Sequence, residues 1–197
     1  MWDERYSGEE YAYGTAPNDF LREVMPRLPK GTALCLGDGE GRNGVWLAEH
    51  GFKVTSLDAS AVGLTKAARL AGNRNVSITT LHRNLQDYAI EAGHWDVIVS
   101  VFCHLPPELR RQVHAQVVTG LKTGGMFVLE AYTPKQLDLG TGGPQSAELM
   151  MNLADLTREL AGLELLHARE LQRDISEGRF HCGPSAVVQL LARRNCA

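Results

Sequence analysis

The chain has 197 residues, 44% hydrophobic and 22% charged, the balance of one water-soluble globular domain spanning 1–197. Its net charge is −3 with Lys and Arg dispersed, so no basic stripe offers a nucleic-acid surface. No apolar run approaches a membrane span, and the charged start Met1-Trp2-Asp3-Glu4-Arg5 lacks a signal-peptide core; Cys35, Cys103, Cys182 and Cys196 form no C-x-x-C pair and read as reduced thiols of a cytoplasmic protein, and the histidines lack metal-ligand spacing, so no metal is expected.

Along the chain, apolar strands alternate with helices. Residues 1–30 read as a helical arm. A strand is expected at Thr32–Leu36, stopped by Gly37, then a helix over Arg42–His50 stopped by Gly51. Lys53–Leu57 reads as a strand ending at Asp58, and Ser60 can cap a helix over Ala61–Ala71. Strands follow at Val76–His82 and Trp95–Val101. A helix with Pro in its first turn covers Pro106–Leu121, and Gly124-Gly125 leads into a strand at Met126–Tyr132. This alternation predicts parallel βαβ units in a doubly wound α/β sheet. Residues 133–160 read as a lid and helix inserted before the last strands. Leu163–Leu171 and Ala186–Arg193 have only a loop between them, with no room for a crossover helix, so they should pair antiparallel.

The strongest local signal is Leu36-Gly37-Asp38-Gly39-Glu40-Gly41-Arg42-Asn43. A strand ends, three alternate glycines follow and a helix begins, so a ligand can approach the backbone without meeting a Cβ. Asp58 closes the next strand, where a carboxylate can hold ribose hydroxyls. The letters Gly39-Glu40-Gly41-Arg42-Asn43-Gly44 also spell G-x-G-x-x-G, so an NAD(P)-binding oxidoreductase is an alternative. Against it, Gly37 sets the register, and Asp38 and Glu40 crowd the loop with negative charge that would repel a pyrophosphate but not a cationic cofactor.

Gly37–Asn43, Trp46-Leu47-Ala48 and the run Gly51–Ser60 resemble class I S-adenosylmethionine-dependent methyltransferases of the tellurite-resistance and thiopurine methyltransferase-like group. The resemblance extends over Trp2–Tyr6, Tyr13–Asn18, Trp95–Ser100, Leu121–Glu130, Thr141–Pro144 and Glu177–Gly183. It implies a Rossmann-like seven-stranded sheet, mostly parallel with the last strand antiparallel. It implies S-adenosyl-L-methionine as cofactor and S-adenosyl-L-homocysteine as product. The group usually has Cys or Ser at the place of Asp38, and commonly Asp at the place of Asn84, where an amide oxygen can equally accept from the adenine amino group.

Ligands of such sheets bind beyond the carboxyl ends of the parallel strands. The cofactor-binding candidates are Tyr13, Gly37, Gly39, Gly41, Asp58, Ala59, Asn84, Leu85 and Ser100. Tyr13 either lines that pocket or anchors the arm. The candidates on the acceptor side are His104, Tyr132, Arg179 and His181, and the last loop should bring Arg179, His181 and Cys182 to the pocket edge. His104 is as apt to pack beside the following helix as to touch substrate. No carboxylate pair or other base constellation stands out. The reading is methyl transfer to a small molecule, a thiol or chalcogen in keeping with the resemblance, by a monomer or homodimer. A non-catalytic cofactor-binding regulatory domain is the other alternative.

Overall fold

The structure, a computed structural model, describes residues 2–195; Cys196 lies outside them. Its seven strands are β1 (Thr32–Leu36), β2 (Lys53–Asp58), β3 (Thr79–His82), β4 (Trp95–Val101), β5 (Leu121–Tyr132), β6 (Leu163–Glu177) and β7 (His181–Arg194). They form one sheet in the order β3-β2-β1-β4-β5-β7-β6. Every pairing from β3 to β5 is parallel, and β7 runs antiparallel to both of its neighbours. This is the expected Rossmann-like arrangement. The helices are α1 (Trp2–Arg5), α2 (Asp19–Val24), α3 (Arg42–Glu49), α4 (Ala61–Asn73), α5 (Pro107–Gly120) and α6 (Leu153–Glu159).

Strand periodicity divides the core into two layers. Leu34, Leu36, Ile98, Phe127 and Leu129 face one side, with Val113 and Val117 of α5 and Leu156 of α6. Ala33, Cys35, Val97, Val99 and Val128 face the other, with Leu47 of α3 and Phe20 and Leu21 of α2. Each large side chain so buried contributes about 1.5–3 kcal/mol. The chain leaves β1 toward β2 on one side, and β4 is added on the other. The crevice beyond the carboxyl ends of β1 and β4 is therefore the topological switch point.

The element boundaries differ from expectation in two informative places. The third strand begins at Thr79, not Val76, because the Val76 N–H closes the end of α4 by donating to the Ala71 carbonyl, with Asn75 at φ 56°. The last two strands are much longer than expected. Glu177 pairs with His181, so a turn of three residues replaces the anticipated loop, and His181 and Cys182 belong to β7. The polar residues 172–185 showed no apolar alternation, yet the backbone ladder runs through them.

Under the sheet, Arg110 of α5 donates to Glu159 of α6 at 2.7 Å, and His114 Nδ1 lies 2.7 Å from the same carboxylate. All three side chains are buried. Burial would raise the Glu159 carboxyl, but His114 and Arg110 hold it at about 2, against an ordinary 4.5. Its stabilisation is therefore present above pH 4.5 and is lost as pH falls from there toward 2. Glu159→Ala strands a buried guanidinium and should cost about 3–5 kcal/mol in a urea melt at neutral pH. The difference from wild type should shrink as the melt is repeated at falling pH.

Candidate active site

The glycine loop leaves β1 with Gly37, Gly39 and Gly41 at φ 60°, 56° and 84°, a region that side-chain-bearing residues rarely adopt. A Cβ on Gly39 would stand 2.5 Å from the Tyr6 hydroxyl, and one on Gly37 would stand 2.8 Å from Cys103 Sγ. Asp38 turns inward. It accepts from the Ser56 hydroxyl at 2.6 Å and from the Gly44 N–H at 3.3 Å, and burial pushes it up to about 6. A carboxylate thus occupies the N-terminus of α3, the place where a dinucleotide would need to seat its pyrophosphate. Glu40 plays no such part. It is buried against Lys66 and accepts the Ala12 N–H at 2.7 Å, so its charge is neutralised within the protein. Of the two loop acids, only Asp38 is left without a cationic partner among the described residues.

Asp58 ends β2 and accepts one hydrogen bond from Gly39 N and one from Ser60 N, each at 2.8 Å. It is buried, not exposed as a strand end suggests, and the Tyr6 ring lies close over Gly39 and Gly63 beside it. Desolvation raises its carboxyl, and among the described residues no Lys or Arg pairs with it. A buried carboxylate with two backbone donors retains free lone pairs for a diol. The residues therefore fit S-adenosylmethionine: Asp58 would take the ribose, and the three glycines would let the cofactor lie on the backbone.

The other cofactor candidates are distributed as follows. Ser100 is buried at the end of β4, and Leu85 is buried in the core cluster. Ala59 is exposed. The Asn84 side-chain oxygen already accepts from Gln86 N at 3.0 Å, closing its own turn, with one lone pair left over. The Tyr13 ring lies 6.3 Å from that of Tyr6 and 4.5 Å from that of His181, one of the acceptor-side candidates.

On that side the structure separates the candidates. His104 has both nitrogens engaged: Nδ1 with the Phe102 carbonyl at 3.1 Å, and Nε2 accepting from Tyr132 N at 3.1 Å. Burial, with His181 nearby, lowers it to about 3, so it is a neutral structural residue. Tyr132 is fully buried with its hydroxyl unpartnered among the described residues. His181 is 8% exposed and stands at the base of the hairpin turn. The Arg179 N–H ties the turn to the Ala12 carbonyl at 3.0 Å, and its guanidinium lies over the Phe180 ring at 4.8 Å. Cys182 does not join the site; its side chain is exposed on the far side of the strand tip.

Two residues outside the sequence candidates belong here. Phe102 follows β4 with φ 52°, a strained value for a bulky side chain. Its ring lies 4.6 Å from His181 and 4.7 Å from Tyr132. Glu177 accepts from Arg42 at 2.6 Å and has His181 Nδ1 at 3.8 Å. The spacing Glu177-Gly178-Arg179-Phe180-His181 carried that signal, since a Gly-containing turn of three residues makes its flanking pair face one side. Among the described residues no cluster of His, Cys, Asp or Glu could hold a metal, and no helix is long and apolar enough to cross a membrane. A cleft of about 530 Å³ between α5 and α6 shares none of these residues, and the buried Arg110 and Glu159 at its wall are paired with each other.

Residues 33–125 match the methyltransferase domain family. A 2-heptyl-1-hydroxyquinolin-4(1H)-one methyltransferase of Mycobacteroides abscessus is 21% identical over 73% of this chain and 69% of its own length. A glycine/sarcosine N-methyltransferase of Parasynechococcus marenigrum is 28% identical over 60% of this chain and 44% of its own, so the chain spans under half of that relative. The crystal structure of TehB from Haemophilus influenzae superposes with a TM-score of 0.72, at 21% identity, over 90% of this chain and 62% of that one. With the fold and the glycine loop, these findings support a class I S-adenosylmethionine-dependent methyltransferase. Its cofactor is S-adenosylmethionine and its product S-adenosylhomocysteine; the nicotinamide alternative finds no support.

Asp58→Ala should weaken S-adenosylhomocysteine binding by about 1.5–3 kcal/mol in calorimetry, the loss of a charge-assisted contact. Unchanged affinity in a folded variant would remove Asp58 from the site. Gly39→Val should abolish binding, because both its backbone angle and the Tyr6 hydroxyl oppose a side chain.

Proposed function

We propose that the chain methylates a small organic molecule seated against the rings of Tyr13, Phe102, Tyr132 and His181. The observation that carries this reading is that cluster, whose ring centroids lie 4.5–5.3 Å from His181, at the carboxyl edge of β4 and β5. Aromatic walls suit a compact apolar body. Two curated relatives are named as small-molecule methyltransferases, one of a hydroxyquinolone and one of glycine and sarcosine. A thiol or chalcogen acceptor is the second reading, supported by the likeness to TehB and by the sequence resemblance to the tellurite-resistance group. In either case the protein acts as a monomer or homodimer in the cytoplasm, and no nucleic acid or membrane takes part.

S-adenosylmethionine supplies an electrophilic methyl group on a sulfonium. The protein's work is then alignment and exclusion of water. Asp58 and the glycine loop hold the adenosine end. The segment 2–14 covers that end: Asp3 accepts from the Ser60 hydroxyl at 2.5 Å, and Lys66 donates to the carbonyls of Gly8 at 2.8 Å and Glu10 at 2.6 Å. On the acceptor side, Gly142 and Gly143 lie directly against Tyr132.

Calorimetry should show binding of S-adenosylhomocysteine and none of NADH. A screen of hydroxylated aromatics, thiols, thiopurines, tellurite and selenite should then yield cofactor turnover with at least one acceptor. Transfer only to a protein or nucleic acid would overturn the small-molecule reading, and binding without turnover would favour a regulatory domain.

A further inference from the structure

The acceptor side contains a base constellation that the sequence did not reveal. Glu177 and His181 are cross-strand partners at the tip of the β6–β7 hairpin, so their side chains share one face. Glu177 is held by Arg42 at 2.6 Å and by Asn18 at 2.8 Å. Desolvation would raise its carboxyl, but His181, Arg42 and Asn18 keep it at about 2, so it is ionised at neutral pH. His181 turns Nδ1 toward this carboxylate at 3.8 Å, and Nδ1 has no other partner among the described residues. The nearby negative charge favours the proton on Nδ1. The opposite ring edge points toward Gly142 and the buried, unpartnered Tyr132 hydroxyl: a Cβ on Gly142 would lie 3.6 Å from His181 Cδ2 and 3.3 Å from Tyr132 Oη.

We propose that His181, oriented by Glu177, is the general base of this methyltransferase, and that its acceptor is a flat aromatic molecule bearing a hydroxyl whose proton His181 Nε2 removes. The proposal rests on the methyltransferase reading and names the acceptor class within it. Three features carry it together. The first is an imidazole with a carboxylate behind Nδ1. The second is the set of rings of Tyr13, Phe102 and Tyr132 around it, which provide faces for a planar body. The third is the strained backbone of Phe102, of the kind that persists where a site demands it. His104, the other histidine in the cluster, has no free nitrogen to compete for the role.

The step balances. As the acceptor oxygen forms its bond to the methyl carbon, the carbon–sulfur bond breaks and its electron pair stays on sulfur, which becomes a neutral thioether. The hydroxyl proton passes to His181 and from there to solvent. An aromatic thiol would need this base far less, because it is much more acidic than a phenol and its thiolate is intrinsically very nucleophilic. Tyr132 is a positioning group whose buried hydroxyl can hydrogen-bond the acceptor oxygen.

The charged and titratable groups facing His181 are Glu177 of β6, Arg42 of α3, Arg5 of α1, Tyr13 of the segment after it, His104 beyond β4 and Tyr132 of β5. Burial, with Arg42 and Arg5, outweighs Glu177 and lowers the imidazole below its ordinary 6.5. Its basic form is thus present at neutral pH. Transfer to a hydroxyl should rise with pH along a limb whose midpoint lies below the ordinary imidazole value of 6.5. Removing the carboxylate with Glu177→Gln should move that limb to still lower pH and reduce the plateau, and Glu177→Asp should restore part of both.

The test compares wild type with His181→Gln, using 2-naphthol and thiophenol as acceptors and S-adenosylhomocysteine calorimetry as the control for an intact cofactor site. His181→Gln should lower kcat on 2-naphthol by roughly 10²–10⁴-fold and on thiophenol by less than about tenfold. Its affinity for S-adenosylhomocysteine should be unchanged. Nitrogen NMR of the S-adenosylhomocysteine complex supplies a readout independent of turnover: His181 should carry its proton on Nδ1, and Nε2 should shift when 2-naphthol is added. Equal losses on both acceptors, no loss on 2-naphthol, or a proton on Nε2 would overturn the base while leaving the methyltransferase reading intact. Failure of wild type to bind S-adenosylhomocysteine would overturn both.

Discussion

Segments far apart in the chain meet at the Glu177 carboxylate, and the arrangement of the site depends on that meeting. Arg42 arrives from the first turn of α3, directly after the glycine loop, and Asn18 from the N-cap of α2. The Asn18 amide donates to Glu177 and to Glu130 of β5, 2.8 Å each, so a single NH₂ group spends both protons between two buried carboxylates. Arg173 completes the set by donating to Glu130 at 2.8 Å. Two buried acids thus face two guanidinium groups, and Arg173, partly exposed, also reaches Asp19 at 3.2 Å. Removing any one leaves a buried charge uncompensated, a loss of about 3–5 kcal/mol. Such a cluster contributes little net stability compared with an apolar core. Its effect is to hold the cofactor loop, the N-terminal segment and the hairpin tip in one register.

The N-terminal segment is fixed by the same kind of contact on its other flank. Lys66 is buried in α4, and its ammonium is satisfied by Glu40 and by carbonyls of the segment itself. A buried ammonium must have such partners. The backbone from Tyr6 to Glu10 is thereby bent around it, and the Tyr6 ring is brought over Gly39. From Ala12 the chain bonds to Arg179 of the hairpin turn. One short segment therefore touches both the glycine loop and the hairpin turn, although it contributes no strand and only one short helix to the fold.

The direction of one side chain resolves the two cofactor readings that share the letters of the loop. A dinucleotide fold leaves the N–H groups of the first helix free for phosphate. Here Asp38 reaches back to Gly44 N and Ser56, so a carboxylate of the protein already faces that helix end. The second negative residue, Glu40, is turned to Lys66 and the Ala12 N–H. Sequence spacing alone treats the two acids alike.

What the sequence determined by itself is everything governed by local period and local stereochemistry. Near-continuous apolar runs in Thr32–Leu36 and Trp95–Val101 announce strands buried on both faces, Ser60 announces the start of α4, and three alternate glycines announce a tight loop at the end of β1. Asp58 was legible because its place follows from the loop and one βα unit. The absence of a crossover before the last strand made its antiparallel direction a matter of chain length. What only the tertiary structure decided concerns contacts between distant residues and the state of buried groups. Nothing near His104 in the chain shows that its second nitrogen accepts from Tyr132, nor does anything near Glu177 show that Arg42 neutralises it from 135 residues away. The polar ends of β6 and β7 carry no hydrophobic period, because backbone hydrogen bonds and ion pairs hold them in place of core packing. Those ends place His181 beside Tyr132, and that juxtaposition exists only once the sheet has closed.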